Sequence, residues 1–333
     1  MEHSLKLSSE FLSHLKGKKN LLAFSAGVDS SALFFLLLEH DIVFDIALVN
    51  YGLREQSKEE EAYALTLAQE HNLQAHISQA PSFSKNFEKN ARDFRYEFFD
   101  VLMQKHAYDN LLTAHQLNDQ LEWLLMRLTK GAGTAELIGL EGYSTRKNYA
   151  LVRPLLEHSK KELLKYLNTN KYTYFIDESN SDNKYERNLF RNKFSNELMD
   201  EYSEGIRRSF RYLKEDKVAL TKGFKEVFHE KELYILSYDS EHLIIRLVDK
   251  YLKKLGYLLS SAQRLELKKE TSLVFGGVWA VEVQENLIFI APYRNVAMPK
   301  IFKEACRKLK IASKIRSYLF EEEIAIKKLS LSF

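Results

Sequence analysis

Over its first 155 residues, the chain alternates short apolar runs with longer amphipathic segments. The apolar runs predict β-strands at Leu21–Phe24, Phe44–Val49, Ala75–Ser78, Asn110–Ala114 and Ala150–Arg153. The intervening segments predict helices at Ser31–Glu39, Lys58–His71, Ser84–His106 and Leu117–Leu128. This alternation predicts an α/β fold, a doubly wound parallel sheet with helices on both faces. In such a sheet, ligands bind at the carboxyl ends of the strands, so the residues just after each strand are the first candidates for a site.

Near residue 204 the sequence changes to long charged segments, which predict helices. A short stretch near residues 272–291 alternates apolar and polar residues, as a half-buried strand does. We therefore predict two domains: an α/β domain at residues 1–203, and a mainly helical domain at residues 204–333 that contains a small strand-rich segment. Basic residues repeat at helical spacing near the start of the second domain, at Arg207, Arg208, Arg211 and Lys214. They could form an RNA-binding face or an ordinary solvated surface.

The composition excludes several classes of protein. The net charge of +3 allows a nucleic-acid partner but does not require one. The single cysteine, Cys306, rules out an intramolecular disulfide and any zinc or iron–sulfur site built from several thiolates. No stretch approaches the roughly 20 apolar residues that span a bilayer, and residues 1–19 do not resemble a signal peptide. We expect a cytosolic protein that does not contact a membrane.

A turn of small residues, Ser25 to Ser31, leads from the first predicted strand into the first predicted helix. The N–H groups at a helix N-terminus lack partners within the helix, and the helix dipole there favours an anion such as phosphate. No lysine follows Gly27, so the turn is not a Walker loop. Asp29 could hold a magnesium ion on the phosphates. A plain turn with Ser30 or Ser31 as the N-cap fits these residues equally well.

A second polar cluster follows the fourth predicted strand. His115 lies at the strand end, and Asp119 and Glu122 are three residues apart on one face of the next helix. An imidazole and two carboxylates that converge on one cleft could bind a metal ion or transfer protons. Acids in the first turn of a helix also stabilise it, and for these residues alone that explanation is the commoner one.

Two pairs of arginines also stand at helical spacing. Arg92 and Arg95 are three residues apart, and Arg187 and Arg191 are four apart, so each pair shares one helix face. Forked guanidinium groups suit bidentate contacts with phosphate. Each pair also has an ordinary explanation. The first could form surface ion pairs on its own helix, and the phenylalanines beside the second could belong to a helix that packs into the core.

Together these motifs resemble those of the tRNA(Ile)-lysidine synthetases, a branch of the N-type ATP pyrophosphatase (PP-loop) superfamily. Residues 25–30 are similar to the S-G-G-x-D-S pyrophosphate loop of the superfamily, and residues 114–123 to the A-H-x-x-D-D-Q-x-E-T signature of the branch. Further segments at 50–57, 88–96, 153–156, 177–182 and 187–192 resemble family motifs in the same order. The chain departs from the family pattern at Asn50, Tyr51, Ala26, Asn118 and Trp123.

The resemblance implies an enzyme that joins free L-lysine to C2 of the wobble cytidine in the CAU anticodon of tRNA(Ile). It implies ATP and Mg²⁺, an adenylated cytidine intermediate, and release of pyrophosphate and AMP. It also implies that residues 1–203 form the catalytic domain and that the C-terminal domain contacts tRNA. The resemblance leaves open whether the protein forms a homodimer.

The resemblance assigns roles to four groups of residues. The ATP-binding loop is Ser25, Ala26, Gly27, Val28, Asp29 and Ser30. The catalytic residues are Asp29, Arg92, His115, Asp119 and Glu122. The residues that contact RNA or substrate are Arg54, Arg95, Asp177, Arg187, Asn188 and Arg191. The Mg²⁺ ligands are Asp29 and Asp119.

Two other functions stay open. A tRNA thiolase of the same superfamily would need cysteines for a cluster or a persulfide, and Cys306 lies far from the motifs. A non-catalytic ATP- or RNA-binding protein would be expected to lack the acids of the second cluster, whereas Asp119 and Glu122 are both present.

The backbone at position 26 is the subject of one further prediction. Alanine in a left-handed conformation costs about 1–2 kcal/mol. We therefore predict that Ala26 has a negative φ, and that Gly27 is the residue that needs the freedom of glycine or a close approach.

Overall fold

The structure, a computed structural model, describes residues 5–52, 56–83, 86–146, 148–176, 186–220 and 222–329. The chain divides into two compact units, Met1–Glu215 and Asp216–Phe333. This division falls within one helix, Asn196–Leu220, as does the predicted boundary at residue 203/204. The helix is kinked at Tyr202, where φ is −123° and ψ is 18°. None of the described helices is both long enough and apolar enough to cross a membrane.

The first unit alternates strands and helices, as the apolar pattern predicts. Its strands are β1 (Asn20–Ala23), β2 (Phe44–Asn50), β3 (Ala75–Gln79), β4 (Asn110–Leu112), β5 (Tyr143–Thr145) and β6 (Ala150–Val152). Its helices are α1 (Ser9–Leu15), α2 (Val28–Glu39), α3 (Gln56–Glu70), α4 (Phe87–Lys105), α5 (Leu117–Leu128), α6 (Thr134–Leu137), α7 (Lys160–Thr169), α8 (Glu186–Phe190) and the greater part of α9 (Asn196–Leu220), which ends in the second unit. A π-helical turn, Arg191–Ser195, joins α8 to α9.

The strands of this unit form one sheet in the order β3-β2-β1-β4-β6-β5. All neighbouring pairs are parallel except the pair formed by β5, a short edge strand that the sequence pattern did not predict. Successive residues of β1 enter different cores, since Leu21 packs in one apolar cluster and Leu22 in another. A strand buried on both faces reads as a continuous apolar run, which is why the parallel sheet was predictable. The predicted doubly wound parallel sheet is confirmed.

The topology brings three loops to one edge of the sheet. Strands β1, β2 and β4 are mutually parallel neighbours, so their carboxyl ends lie side by side. The turn at Ser25, the segment after Asn50 and the segment Thr113–Gln116 follow these ends directly. Residues distant in sequence therefore meet where a ligand is expected in this class of sheet.

The second unit is built on an antiparallel sheet in the order β7-β8-β11-β10-β9. Its strands are β7 (Phe224–Glu230), β8 (Leu233–Tyr238), β9 (Ser272–Phe275), β10 (Trp279–Gln284) and β11 (Leu287–Pro292). Its helices are α10 (His242–Lys254), α11 (Ser261–Glu266), α12 (Lys300–Lys308) and α13 (Arg316–Glu321), with 3-10 turns at Ser313–Ile315 and Ile326–Leu329. The predicted strand-rich segment near residues 272–291 is confirmed as β9 to β11. Strands β7 and β8 were not predicted, so the sheet is larger than expected.

Candidate active site

The turn at the start of α2 is held closed by its own serines. The Ser25 N–H donates to Ser30 Oγ at 3.2 Å, and Ser30 Oγ lies 3.2 Å from the Gly27 carbonyl oxygen, to which it donates. Helix α2 begins at Val28, and its N-cap Gly27 provides no side-chain cap. The alternative with Ser30 or Ser31 as N-cap is therefore wrong. The first N–H groups of α2 have no side-chain cap, which suits an anionic ligand.

The prediction that Ala26 has a negative φ is wrong. Ala26 has a φ of +56°, and Gly27 is extended, with φ −76° and ψ 169°. The chain must turn sharply between β1 and α2, and residue 26 makes that turn. Its carbonyl oxygen accepts a hydrogen bond from the Phe175 N–H at 2.9 Å, and its methyl group is fully buried in the core. The surrounding structure holds alanine in a conformation that glycine adopts more readily.

Asp29, in the first turn of α2, carries a buried oxygen atom. Asp29 Oδ1 has no hydrogen-bond partner among the described residues. Burial and, after it, the charge of Asp119 raise the pKa of Asp29 from 3.8 to about 7. Lys160 and Arg191 act in the opposite direction. Asp29 and Asp119 therefore feel each other's charge across the edge of the sheet, and a cation between them would relieve both the repulsion and the unmade bond.

The second predicted cluster forms the start of α5. Gln116 and Asp119 make a capping box, in which Asp119 Oδ2 accepts from the Gln116 N–H at 2.9 Å. The structural explanation of Asp119 as an N-terminal acid thus applies to one of its oxygens. His115 Nδ1 lies 3.0 Å from Thr113 Oγ1, and burial lowers the pKa of His115 from 6.5 to about 4 although nearby Asp119 raises it. The imidazole is therefore neutral at pH 7.

Arginines from the segment beginning at α8 reach the acids of α5. Arg187 Nη2 donates to Asp119 Oδ1, and Arg187 Nε donates to Glu122 Oε2 at 2.7 Å. Arg191 Nε donates to the other oxygen of Glu122 at 2.6 Å. Glu122 is 1% exposed, whereas the side chain of Arg187 is 40% exposed. Two acids and two arginines thus form a charge-balanced cluster, in which the side chain of Arg187 is more exposed than that of Arg191.

Helix α5 is fastened at its start to helix α7. The Leu117 N–H donates to the His158 carbonyl oxygen at 2.8 Å, and Asn118 Oδ1 accepts from the Lys160 N–H at 3.1 Å. Gln120 Nε2 donates to the Leu156 carbonyl oxygen. Asn118, a departure from the family pattern, therefore uses its amide oxygen to hold the first residue of α7. The N-termini of α5 and α7 thus meet, and the charges of Asp119 and Lys160 on these helices act on Asp29 in the first turn of α2. The dipoles of the three helices favour negative charge at this point.

The remaining predicted residues lie in different surroundings. Arg92 and Arg95 are exposed on α4, and the charge of Arg95 helps to lower the pKa of His115. Asn188 is half-buried on α8. Arg54 and Asp177 lie outside the described residues. Neither phenylalanine beside Arg187 and Arg191 is buried in the core, since Phe190 is half-buried and Phe194 is 48% exposed.

Two residues near the site, Arg153 and Lys160, were not predicted from the sequence to have a role in it. Arg153 is buried and donates from Nη1 to the Glu141 carbonyl oxygen at 2.7 Å, and its charge contributes to the low pKa of His115. Lys160 is the first residue of α7 and acts electrostatically on Asp29. A signal for Lys160 was available, because a cation at the first helical position opposes the helix dipole and needs another reason to be there.

The basic residues of α9 divide into two kinds. Arg207 donates to the Glu157 carbonyl oxygen at 2.6 Å and pairs with Glu162, and Lys214 lies 3.8 Å from Glu157 Oε1. These two hold α9 against the rest of the first unit. Arg208 and Arg211 are exposed, as are the neighbouring rings of Tyr202 and Tyr212 at 58% and 63%. These exposed groups combine positive charge with aromatic surface.

The residues present fit a magnesium ion that is held together with phosphate. Among the described residues, no group of three or more His, Cys, Asp or Glu side chains is arranged to hold a metal by itself. Mg²⁺ commonly binds one or two carboxylates and takes its other ligands from phosphates and water. Asp29 has a buried oxygen to offer, whereas both oxygens of Asp119 already accept hydrogen bonds. Asp29 is thus the better candidate ligand.

Comparison with known proteins identifies related sequences over almost the whole chain. Residues 2–198 match the model of the PP-loop domain family. The chain is 44% identical to the tRNA(Ile)-lysidine synthase of Campylobacter jejuni strain RM1221, over 98% of this chain and all of the relative. It is 44% identical to the Wolinella succinogenes tRNA(Ile)-lysidine synthase over 92% of this chain and 94% of the relative, and 42% identical to that of Helicobacter pylori strain 26695 over 93% and 92%.

Among solved structures, the chain is similar to the U34-tRNA thiolase NcsA from Methanococcus maripaludis, described with its [4Fe-4S] cluster. The TM-score is 0.50 at 17% identity, and the match covers 63% of this chain and 76% of the thiolase. At this identity the likeness concerns the fold alone.

Proposed function

Because the chain belongs to the tRNA(Ile)-lysidine synthase family and carries its PP-loop domain, we propose that it uses ATP to join lysine to C2 of the wobble cytidine of tRNA(Ile) with a CAU anticodon. One observation carries the chemical part of the proposal. The N-termini of α5 and α7 are joined by a hydrogen bond, and Asp29 at the start of α2 feels the charges of both helices, beside a balanced cluster of acids and arginines. A site suited to phosphate therefore adjoins a cluster whose carboxylates could bind the ammonium groups of an amino acid and whose guanidinium groups could bind its carboxylate.

The anion-binding part suits the adenylation step. The cytidine O2 attacks the α-phosphate of ATP, and pyrophosphate leaves. The uncapped N–H groups of α2 and the hydroxyl groups of Ser25 and Ser30 would bind the departing pyrophosphate. Asp29, with Asp119 as a second candidate, would hold a magnesium ion, which neutralises the charge that develops on the phosphates.

The acid–arginine cluster suits the binding of free lysine. We assign the lysine carboxylate to Arg187, whose side chain is the more exposed of the two arginines. Asp119 and Glu122, which Arg187 bridges, would then face the ammonium groups of the substrate. The ε-amine must lose a proton before it displaces AMP from C2, because its ordinary pKa is about 10.4. His115 is neutral at pH 7 and can accept a hydrogen bond, while the carboxylates are the proposed proton acceptors.

The proposed tRNA contact on the first unit is the exposed face of α9. Arg208 and Arg211 would lie against the phosphate backbone, with Tyr212 beside them. Arg92 and Arg95 on α4 are further candidates for phosphate contacts. The cytoplasm, where tRNA is modified, is the proposed location.

The experiment that tests the function combines purified protein, radiolabelled lysine, ATP and Mg²⁺ with a tRNA(Ile) transcript that carries a CAU anticodon. We expect label in the tRNA, and none when initiator tRNA(Met), which shares the anticodon, replaces it. Asp29→Ala should abolish incorporation while tRNA still binds in a gel-shift assay. Absence of lysine incorporation by the wild type, or equal labelling of both tRNAs, would contradict the proposal.

The thiolase alternative is not favoured. The relatives at 42–44% identity are lysidine synthases, whereas the thiolase shares 17% identity and only the fold. An iron–sulfur cluster is held by several Cys thiolates. The single cysteine of this chain, Cys306, is fully buried in an apolar core of the second unit.

A further inference from the structure

The ATP loop lacks a basic residue, although the ligand proposed for it is highly charged. A Walker loop carries its own lysine, which reaches the β- and γ-phosphates. In this chain the turn from Ser25 to Ser31 contains no cation. Helix dipoles and hydroxyl groups are weaker than a full positive charge in binding pyrophosphate. A cation from elsewhere in the fold would complete the site.

Lys160 is the first residue of α7, a helix that packs against α2. Helices α2 and α7 share one apolar core, which contains Leu33 and Leu37 of α2 and Leu163 and Leu167 of α7. Towards the far end of both helices, Tyr166 donates a hydrogen bond to Glu39 Oε1 at 2.5 Å. Both helices follow parallel strands of one sheet, so they run in the same direction. Their N-termini, with Asp29 and Lys160, therefore lie at the same edge.

The backbone of Lys160 is held independently of its side chain. Asn118 Oδ1 accepts from the Lys160 N–H, and Ser159 and Glu162 cap α7 with a capping box. In the described parts of the chain, no hydrogen bond or ion pair engages the Lys160 ammonium group. A lysine at the first position of a helix is also disfavoured by the dipole, which indicates a role other than helix stability.

We propose that Lys160 binds the pyrophosphate part of ATP and supplies the positive charge that the loop from Ser25 to Ser31 lacks. The proposal rests on the proposed function in that it places ATP in this loop. The shared edge of α2 and α7 and the fixed backbone of Lys160 support the placement. Lys160 would contact the leaving group directly and is therefore assigned as a binding residue.

The test measures binding of magnesium pyrophosphate to the full-length protein by calorimetry. Lys160→Met should weaken binding about 10- to 100-fold, as expected for the loss of a charge-assisted contact. Lys160→Arg, which keeps the charge, should stay within about 3-fold of the wild type. Lys161→Met is the matched control, because Lys161 is the next residue on the same helix and is exposed. It should bind like the wild type.

Thermal unfolding and tRNA gel shifts show whether each variant is folded, and Lys160→Gln replaces Lys160→Met if the latter does not fold. Wild-type affinity in the neutral variants, or equal losses at positions 160 and 161, would overturn the inference. The two proposals fail separately. A wild type that makes no lysidine but binds pyrophosphate through Lys160 would refute the function alone. A wild type that makes lysidine without any dependence of pyrophosphate binding on Lys160 would refute the inference alone.

Discussion

Ala26 shows how the fold overrides a local preference. The turn between β1 and α2 needs a residue in the left-handed region at position 26, and the Phe175 N–H is bound to the Ala26 carbonyl in that geometry. Alanine meets this need with the smallest side chain that has a Cβ atom, and its methyl group contributes to the core. The strain is of order 1–2 kcal/mol and is offset by the surrounding contacts.

Substitution of Ala26 should therefore cost more stability than substitution of Gly27. The sequence alone predicts the opposite order. Ala26→Val places a β-branched side chain at positive φ in a filled core and should destabilise the fold by roughly 1–3 kcal/mol. Gly27→Ala should change stability by less than about 0.5 kcal/mol, because its Cβ would meet Ser25 Oγ at an ordinary 3.5 Å. Urea unfolding of the two variants measures this. Equal losses, or a larger loss at Gly27, would refute the backbone assignment.

His115 should make stability depend on pH in the acidic range. Its pKa in the folded protein is about 4, below the ordinary value of 6.5, so the unfolded chain binds the proton more tightly. As pH falls from 6.5 towards 4, protonation favours the unfolded state and stability is lost. His115→Gln removes this loss. The difference in free energy of unfolding between variant and wild type should shift in favour of the variant over this pH range and stay constant above pH 7. A constant difference at all pH values would contradict the burial of a neutral imidazole.

At the scale of elements, the contact between α5 and the segment Glu186–Ser195 depends on matched charge spacing. Asp119 and Glu122 are three residues apart on α5, and Arg187 and Arg191 are four apart across α8 and the π-helical turn. Both pairs were recognised from the sequence as candidate site residues. Their mutual ion pairs were not predicted, because helical spacing identifies a shared face but not the partner of that face, which lies more than 60 residues away in the chain. Complementary charge at similar spacing was the available signal.

The proposed tRNA contact of helix α9 can be tested at Arg208 and Arg211. Replacing Arg208 and Arg211 together with glutamine should weaken tRNA binding and reduce the slope of log K against log salt by about 1 for each lost phosphate contact. The double variant Lys18→Gln/Lys19→Gln removes the same charge from exposed residues just before the amino end of β1, on the far side of the sheet from the site, and serves as the control. Filter binding between low and physiological salt gives both slopes. An unchanged slope for the α9 variant, or the same reduction in the control, would exclude this face as a specific tRNA contact.

At the scale of the molecule, the two units differ in how much the sequence reveals. The parallel sheet of the first unit was predictable, because strands buried on both faces leave continuous apolar runs such as that of β1. Strand β7 was not, since it is largely exposed and a bulge between Glu226 and Phe228 interrupts its alternation. Strand β8 pairs with β11, about 50 residues further along the chain, so no hairpin signal linked it to the predicted strands. The site residues were predicted from the order of the motifs rather than from local pattern, and their roles stay a prediction.

The most direct test of the adenylation chemistry follows the α-phosphate of ATP. With α-labelled ATP, Mg²⁺ and tRNA(Ile) carrying a CAU anticodon, but no lysine, we expect label to be transferred to the tRNA. Adding lysine should then release the label as AMP and leave lysidine at the wobble position, identified by mass spectrometry of the nucleosides. Asp29→Ala should show no transfer. Lysidine formed without a labelled tRNA intermediate, or label that lysine does not displace, would contradict a mechanism in which this site first adenylates the cytidine.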